Sequence, residues 1–269
     1  MRVFLTTILA IACAIVLILG NLHWDKKTAI SSKNGNNIET TKIDSKSLND
    51  SSSSVEGKEA LNEDLIKLAK NWPKEGLEVY KKALKEGRPY KILIVGSASL
   101  AADSGGWPNL VKKKLMDAYS GTISVTFKEY NLNSLEFVQQ DKTQELIDEK
   151  ADMILFEPFI LNDNGIVRIE DTLDNIMNIM KEVKTNNPDT TFVLQPPHPL
   201  FNAKYYPLQV EELKKFTKQN NIPYLDHWAA WPDPATEEIK KYLLEDQSGP
   251  NQEGHKIWGK VVEDYLINQ

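Results

Sequence analysis

The segment "YKILIVGSASLAADSGGWPNLV", residues 90–111, joins an apolar run to a polar, glycine-containing turn and then to an amphipathic stretch. Residues 90–95 are typical of a short buried strand, and residues 108–119 have the apolar spacing of a helix. A strand, a polar turn and a helix in this order make the unit from which parallel sheets are built. The segment therefore predicts the first unit of an α/β fold.

The same alternation continues to the end of the chain. Further strands are predicted at residues 123–130, 152–157, 191–195 and 222–226, and further helices at residues 134–149, 169–185, 207–220 and 251–267. Strands that alternate with helices indicate a parallel sheet covered on both faces. We therefore predict a three-layer α/β/α domain with a flavodoxin-like parallel sheet of about five strands, over residues 88–269.

The first 24 residues contain an uncharged apolar run, residues 3–19, behind Arg2. Its length suits an uncleaved signal anchor or a long signal-peptide core. The apolar run continues past the small-residue patterns at which a signal peptidase would cut, which favours the anchor. We expect a single-pass membrane protein with an extracytoplasmic domain, and a secreted protein is the alternative.

Two segments separate this run from the predicted domain. Residues 25–58 are polar and serine-rich, and they cannot bury enough apolar surface to fold, so a disordered tether is expected. Residues 59–87 have helical apolar spacing that is interrupted at Pro73, which predicts two helices. This helical pair either packs on the domain or forms a stalk.

Composition excludes several classes of function. The chain of 269 residues has a net charge of −6, which gives no basic footprint for nucleic acid. Its only cysteine is Cys13, so neither a disulfide framework nor a thiolate metal cluster is expected. With four histidines a multi-histidine metal site is not expected either, and no cofactor is predicted. The oligomeric state is left open.

Ligands of parallel sheets bind beyond the carboxyl ends of the strands, so the polar residues that follow each strand are candidates. They are Gly96, Ser97 and Ser99 after the first strand, Asn131 and Asn133 after the second, Glu157, Asn162 and Asp163 after the third, His198 after the fourth and His227 after the fifth. Glu157 is either a buried carboxylate with a raised pKa or a solvated charge at the strand end, and the solvated charge is favoured.

This order of motifs resembles the SGNH, or GDSL-type, hydrolase superfamily over residues 90–267. Its members are ester hydrolases and acetyl transferases. The family's first block, Gly-Asp-Ser-Leu, resembles Gly96–Leu100. Counting forward from Gly96 puts Ala98 at the position of the nucleophile and Ser97 at that of the Asp. Counting back from Leu100 puts Ser99 there, so Ser97 and Ser99 are both candidate nucleophiles.

The remaining blocks of the family match in part. The Gly-x-Asn-Asp block resembles residues 160–163, and the resemblance implies that Asn162 donates to an oxyanion. The glycine of the second block has no clear counterpart, although Asn131 or Asn133 stands nearby. Gly96 is a further candidate for oxyanion or substrate binding. In the last block Asp246 stands for the Asp, but Gly249 occupies the position of the histidine.

A glycine at that position removes the general base. A serine hydroxyl needs a base within hydrogen-bond reach, and that base needs a third group to orient it. His198, His227 and His255 are the possible replacements, and His198 opens toward the correct edge of the sheet.

Two functions follow from the resemblance. The first is a membrane-tethered esterase or deacetylase that acts on a small acyl ester or an acetylated glycan of the cell envelope. The alternative is a binding or scaffold protein at the envelope that has the same fold and has lost catalysis.

Overall fold

A computed structural model describes residues 51–268, with side chains from residue 60 onward. The apolar run at residues 3–19 and residues 25–50 of the predicted tether lie outside the described residues. Among the helices between residues 51 and 268, none combines the length and the hydropathy that a bilayer-spanning helix requires.

The predicted helical pair is present as α1 (Ser51–Leu68) and α2 (Lys74–Glu86). Helix α1 begins at Ser51, inside the stretch that the sequence assigns to the tether. Pro73 separates the two helices as predicted, because it fixes its own backbone and donates no hydrogen bond. Gly87 ends α2 with φ of 67°, a left-handed conformation that glycine adopts without strain.

These two helices pack on the domain and do not form a stalk. Trp72, in the turn between them, donates its indole N–H to the carbonyl oxygen of Leu266 at 2.8 Å. The hydroxyl of Tyr80 lies 2.8 Å from that of Thr122. Residues 51–269 accordingly form one compact unit. A domain boundary at residue 88 therefore divides the hydrophobic core, and the boundary of the folded unit lies before α1.

The sheet confirms the predicted α/β class. It contains β1 (Tyr90–Ser97), β2 (Ile123–Tyr130), β3 (Met153–Phe156) and β4 (Thr191–Leu194) in the order β2-β1-β3-β4. All three strand pairs are parallel, so their carboxyl ends meet at one edge of the sheet.

The fifth predicted strand is shortened to a single bridge. Only Leu194 and Tyr224 pair there, through hydrogen bonds from Leu194 to Pro223 and from Leu225 to Leu194. Pro223 has no N–H to donate to a ladder, and a 3₁₀ turn begins at His227. The segment therefore lies beside β4 without extending as a strand, and the sheet has four strands where about five were predicted.

The remaining helices cover both faces of the sheet. They are α3 (Trp107–Ala118), α4 (Ser134–Gln139), α5 (Thr143–Glu149), α6 (Ile160–Asp163), α7 (Ile169–Asn186), α8 (Tyr206–Gln219) and α9 (Gln252–Leu266). The helix predicted at 134–149 is divided, because Asp141 adopts a φ of 54° between α4 and α5. Alternate residues of β1 point to opposite faces: Ile92 and Ile94 join the core under α1, α2, α3 and α9, whereas Leu93 and Val95 join the core under α4, α5, α7 and α8. The three predicted layers are present.

Candidate active site

The turn after β1 carries both candidate nucleophiles. Ser97 ends the strand, and its hydroxyl oxygen accepts a hydrogen bond at 3.3 Å from the backbone N–H of Ser99. A 3₁₀ turn, Ala98–Leu100, follows. Ser97 and Ser99 are buried, and the side chain exposed at this turn is that of Ala98.

His198 contacts Ser99. Its Nδ1 lies 3.1 Å from the hydroxyl oxygen of Ser99, and its Nε2 lies 3.2 Å from the carbonyl oxygen of Gln247. A carbonyl oxygen can only accept, so the proton of the neutral ring is on Nε2. Nδ1 is then free to accept the hydroxyl proton of Ser99, which is the hydrogen bond that a general base requires.

The surroundings of His198 keep its ring neutral and fixed. Burial lowers the pKa of His198 from 6.5 to about 4. Its side chain is 0 % exposed, and its own carbonyl oxygen accepts a hydrogen bond at 2.9 Å from Tyr206. The ring is therefore in its proton-accepting form at neutral pH, although the imidazolium that proton transfer creates is poorly stabilised here.

The orienting group differs from that of a Ser-His-Asp triad. In such a triad a carboxylate holds the imidazole and stabilises its charged form. Here the carbonyl dipole of Gln247 has the orienting role and brings no full charge. A Ser-His pair with a carbonyl partner retains the geometry for proton transfer and loses part of the electrostatic stabilisation.

Asp246, predicted as a catalytic residue, lies outside this arrangement. It is exposed, and its carboxylate accepts hydrogen bonds from the N–H and the hydroxyl of Ser248 at 3.0 and 2.7 Å. These two donors lower the pKa of Asp246. Gly249 is buried, and a Cβ placed on it would meet only Leu244 at 3.7 Å. The last block contacts His198 through the backbone carbonyl of Gln247, whereas the Asp246 carboxylate accepts from Ser248. The catalytic role of Asp246 stays a prediction.

Glu157 is a buried carboxylate, which corrects the preference for a solvated charge. Its oxygens accept hydrogen bonds from the backbone N–H of Ser97 at 2.6 Å and of Phe159 at 3.1 Å. Burial raises the pKa of Glu157 from 4.5 to about 7 and outweighs these hydrogen bonds, which favour the charged form. Gly96 is needed beside it, because a Cβ at Gly96 would lie 2.8 Å from Glu157. The structure thus gives Gly96 a packing role.

The pKa of Glu157 predicts a pH-dependent stability. Between pH 4.5 and 7 the folded carboxyl holds a proton that the unfolded chain has lost, so its contribution to the free energy of unfolding falls as the pH rises. We expect the difference in unfolding free energy between the wild type and Glu157→Gln to fall by about 3 kcal/mol over this range. Urea denaturation at several pH values measures it, with the exposed Glu182→Gln as the control for loss of one charge. A constant difference would show that Glu157 titrates normally.

Neither predicted asparagine donor contacts Ser99. The side chain of Asn162 donates to the carbonyl oxygen of Leu132 at 2.8 Å, which ties the loop after β3 to the loop after β2. Asn131 is exposed. The carboxylate of Asp163 is buried and accepts from the backbone N–H of Ser134 at 2.7 Å. In this structure the Asn-Asp block joins two loops at the sheet edge, and the oxyanion roles of Asn162 and Asn131 stay predictions.

The two other candidate bases are occupied or displaced. The Nε2 of His227 lies 2.8 Å from the carbonyl oxygen of Pro196, and its Nδ1 accepts from the indole N–H of Trp231 at 3.0 Å. Its ring stacks on Trp258 at 4.2 Å, so His227 is a packed structural residue. His255 contacts the backbone N–H of Trp107 and reaches neither serine.

A cleft of about 490 Å³ lies between the turn that follows Ser99 and the N-terminus of α9. Ala101, Gly106, Leu244 and His255 are among its lining residues, whereas Ser99 and His198 are not. The Ser99–His198 pair is therefore closed off from solvent beside an open cleft. Within residues 51–268 no group of three or more His, Cys, Asp or Glu residues is placed to hold a metal ion.

We compared the chain with known protein families, curated proteins and solved structures. No family model matches the sequence, and no curated protein matches it significantly. Solved structures do match. A protein assigned as a GDSL-like lipase, from Parabacteroides merdae, aligns with a TM-score of 0.57 at 10 % identity, over 66 % of this chain and 96 % of that one. A carbohydrate esterase of family 3 from Talaromyces cellulolyticus aligns with a TM-score of 0.55 at 12 % identity, over 66 % of this chain and 96 % of that one.

A GDSL-like lipase from Bacteroides thetaiotaomicron aligns over 70 % of this chain and 96 % of that one, with a TM-score of 0.50 and 13 % identity. The domain has the SGNH/GDSL-type hydrolase fold. At these identities the likeness concerns the fold alone, and the chemistry of the site depends on the contacts described above.

The fold brings some of the predicted residues together. Ser97, Ser99 and His198 meet at the carboxyl edge of the sheet, whereas Asp246, Asn131 and Asn162 do not join them. Sequence reasoning missed the carbonyl oxygen of Gln247, since every residue has a carbonyl and no side-chain pattern marks its role. It also underestimated Glu157, whose apolar neighbours Phe156 and Pro158 were the available signal for burial.

Proposed function

We propose that this domain is a serine ester hydrolase in which Ser99 is the nucleophile and His198 is the general base. The proposal rests on the 3.1 Å contact between the Ser99 hydroxyl and His198 Nδ1. The contact of Nε2 with the carbonyl oxygen of Gln247 places the ring proton on Nε2 and leaves Nδ1 as the acceptor. In the first step the Ser99 oxygen attacks the ester carbonyl and its proton passes to Nδ1. The leaving alcohol takes that proton as the ester C–O bond breaks. Water then hydrolyses the acyl-serine with His198 again as the base.

The rate should be low. Efficient general bases have pKa values near the working pH, and burial lowers the pKa of His198 to about 4. The carbonyl of Gln247 also stabilises an imidazolium less than a carboxylate does. The test is hydrolysis of p-nitrophenyl acetate by the full-length protein and by Ser99→Ala. Activity that is identical in both proteins would contradict the proposal.

We propose a small acyl ester or an acetylated glycan of the cell envelope as the substrate, acted on by a membrane-tethered domain. The carbohydrate esterase among the similar folds and the apolar run at residues 3–19 support this proposal. Protease added to intact cells should release a fragment that begins between residues 25 and 60. A mature N-terminus near Ala12 or Ala14 would instead indicate a cleaved signal peptide.

Burial of the pair favours a second candidate. Ser99 is 3 % exposed and His198 is 0 % exposed, so an ester reaches them only if the site opens. A binding or scaffold protein with the GDSL-type fold needs no such opening. If the full-length protein hydrolyses no aryl or sugar acetate above the rate of Ser99→Ala, this second function is supported.

The Gly249→His substitution tests whether a histidine at the position of the family's last block can act as the general base. The site has room for the new side chain at its Cβ, but Asp246 is turned toward Ser248 and His198 already contacts Ser99. We therefore expect the rate of p-nitrophenyl acetate hydrolysis to stay within about twofold of the wild type, because an imidazole needs its orienting partner in place. A gain of tenfold or more would mean that the base belongs at residue 249.

A further inference from the structure

The cleft beside α9 has apolar walls. Leu110 is 47 % exposed and Leu244 is 46 % exposed, and both line this cleft together with Ala101 and Pro250. Large apolar side chains that remain accessible in a concave surface indicate a site for the apolar part of a ligand.

His255, a largely buried residue, adds a hydrogen-bond donor to the same cleft. Its side chain is only 8 % exposed, and its Nδ1 accepts from the backbone N–H of Trp107 at 3.4 Å. The proton of the neutral ring is therefore on Nε2. Within residues 60–268 this Nε2 has no hydrogen-bond partner, although His255 lines the cleft. This N–H is therefore available to an acceptor that a ligand brings into the cleft.

The N-terminus of α9 supplies a second donor and a favourable field. The side chain of Asn251 accepts from the N–H groups of Glu253 and Gly254 at 3.0 and 3.1 Å. Gln252 also lines the cleft, and its backbone N–H has no acceptor among the described residues. The positive end of a helix dipole favours an anion. The charged neighbours, Glu253 and Lys256, are exposed and pair with each other at 2.7 Å.

We propose that this cleft binds a short-chain carboxylate. The carboxylate accepts from His255 Nε2–H and the N–H of Gln252, and its alkyl chain lies along Leu110 and Leu244. The site contains neither Ser99 nor His198, so it goes beyond the proposed hydrolase activity and does not depend on it. A short-chain carboxylate is also the acid that hydrolysis of an acyl ester releases.

The experiment titrates hexanoate into the full-length chain carrying Ser99→Ala, with calorimetry and with ¹⁵N NMR of the histidine rings. Hexanol and methyl hexanoate are titrated in parallel as uncharged ligands of similar chain length. His255→Asn keeps an acceptor for Trp107 near the Nδ1 position and removes the Nε2 donor, whereas His255→Gln places an amide nearer to Nε2. Leu244→Ser tests the apolar wall, and Leu208→Ser, at a leucine 62 % exposed on α8, is the matched control.

We expect hexanoate to bind with about millimolar affinity and to shift the resonance of His255 Nε2. His255→Asn should weaken binding about tenfold or more, because a charge-assisted hydrogen bond is lost. His255→Gln should weaken it less, and Leu208→Ser should leave it unchanged. No binding, equal affinity in His255→Asn, or affinity for hexanol or methyl hexanoate equal to that for hexanoate would overturn the proposal. Hydrolysis by the wild type is measured separately, so failure of the carboxylate site and failure of the hydrolase proposal are distinguishable.

Discussion

Ser99→Ala is expected to lower kcat/KM for p-nitrophenyl acetate by about three orders of magnitude. The substitution removes the only hydroxyl that contacts an imidazole nitrogen in the described residues, and so it removes the acyl-enzyme route. His198→Ala should cost about as much, because a serine without its base is a poor nucleophile. The double variant should be no slower than either single variant, since the two residues act as one unit.

Ser97→Ala is the matched control for this prediction. Ser97 is buried in the same turn, and its hydroxyl contacts the backbone N–H of Ser99 but not His198. Its loss should reduce the rate by less than about tenfold, because a single hydrogen bond to the turn contributes on the order of 1 kcal/mol. A large loss in Ser97→Ala together with a small loss in Ser99→Ala would reverse the assignment of the nucleophile.

Removal of residues 1–87 should leave a chain that does not unfold cooperatively. The helical pair buries Leu65, Trp72, Tyr80 and Leu84 against the domain. At about 1.5–3 kcal/mol for each large apolar side chain, their burial contributes on the order of 10 kcal/mol, which is comparable to the whole stability of a domain. Thermal unfolding followed by near-ultraviolet circular dichroism tests this expectation.

Trp72→Ala removes the packing of one side chain in the helical pair without shortening the chain, and so complements the truncation. The ring of Trp72 lies 5.1 Å from that of Tyr90 and 5.6 Å from that of Tyr119, and its N–H reaches Leu266. We expect about 3–5 kcal/mol of destabilisation. Leu61→Ala, at a residue 49 % exposed on α1, should have little effect. A cooperative, fully stable chain starting at residue 88 would show that the pair is an appendage.

Much of the fold follows from periodicity. The apolar runs of β1 and β3 predict strands buried on both faces, and the helical spacing places α3, α7, α8 and α9 within a few residues, whereas α1 begins eight residues earlier than predicted. The prediction of a fifth strand was wrong because Pro223 has no N–H to donate to a continuous ladder. The apolar pattern of residues 222–226 does not show this local restriction. The boundary predicted at residue 88 divides the hydrophobic core. The apolar spacing in α1 and α2 predicts an apolar face on each helix, but it does not predict what that face packs against.

The site was predictable only where side-chain chemistry is specific. Ser99 and His198 could be named as candidates because each follows a strand whose carboxyl end lies at the same edge. The position of the ring proton in His198 depends on the contact of Nε2 with the carbonyl oxygen of Gln247. No side-chain pattern in a sequence predicts such a backbone contact. Asp246 matched the motif by type but is drawn to Ser248 within its own turn. A position in a motif thus predicts the loop in which a residue lies more reliably than it predicts the residue's hydrogen-bond partner.

The most direct test of Ser99 as an activated nucleophile is covalent labelling with a fluorophosphonate, followed by peptide mass spectrometry. The phosphonyl group reacts with a hydroxyl that a base can deprotonate, and it reports the residue that is modified without dependence on turnover. A single adduct on Ser99 is expected in the wild type, with none in Ser99→Ala and a strongly reduced yield in His198→Ala. An adduct on Ser97, or aryl acetate hydrolysis without any adduct on Ser99, would contradict the assignment.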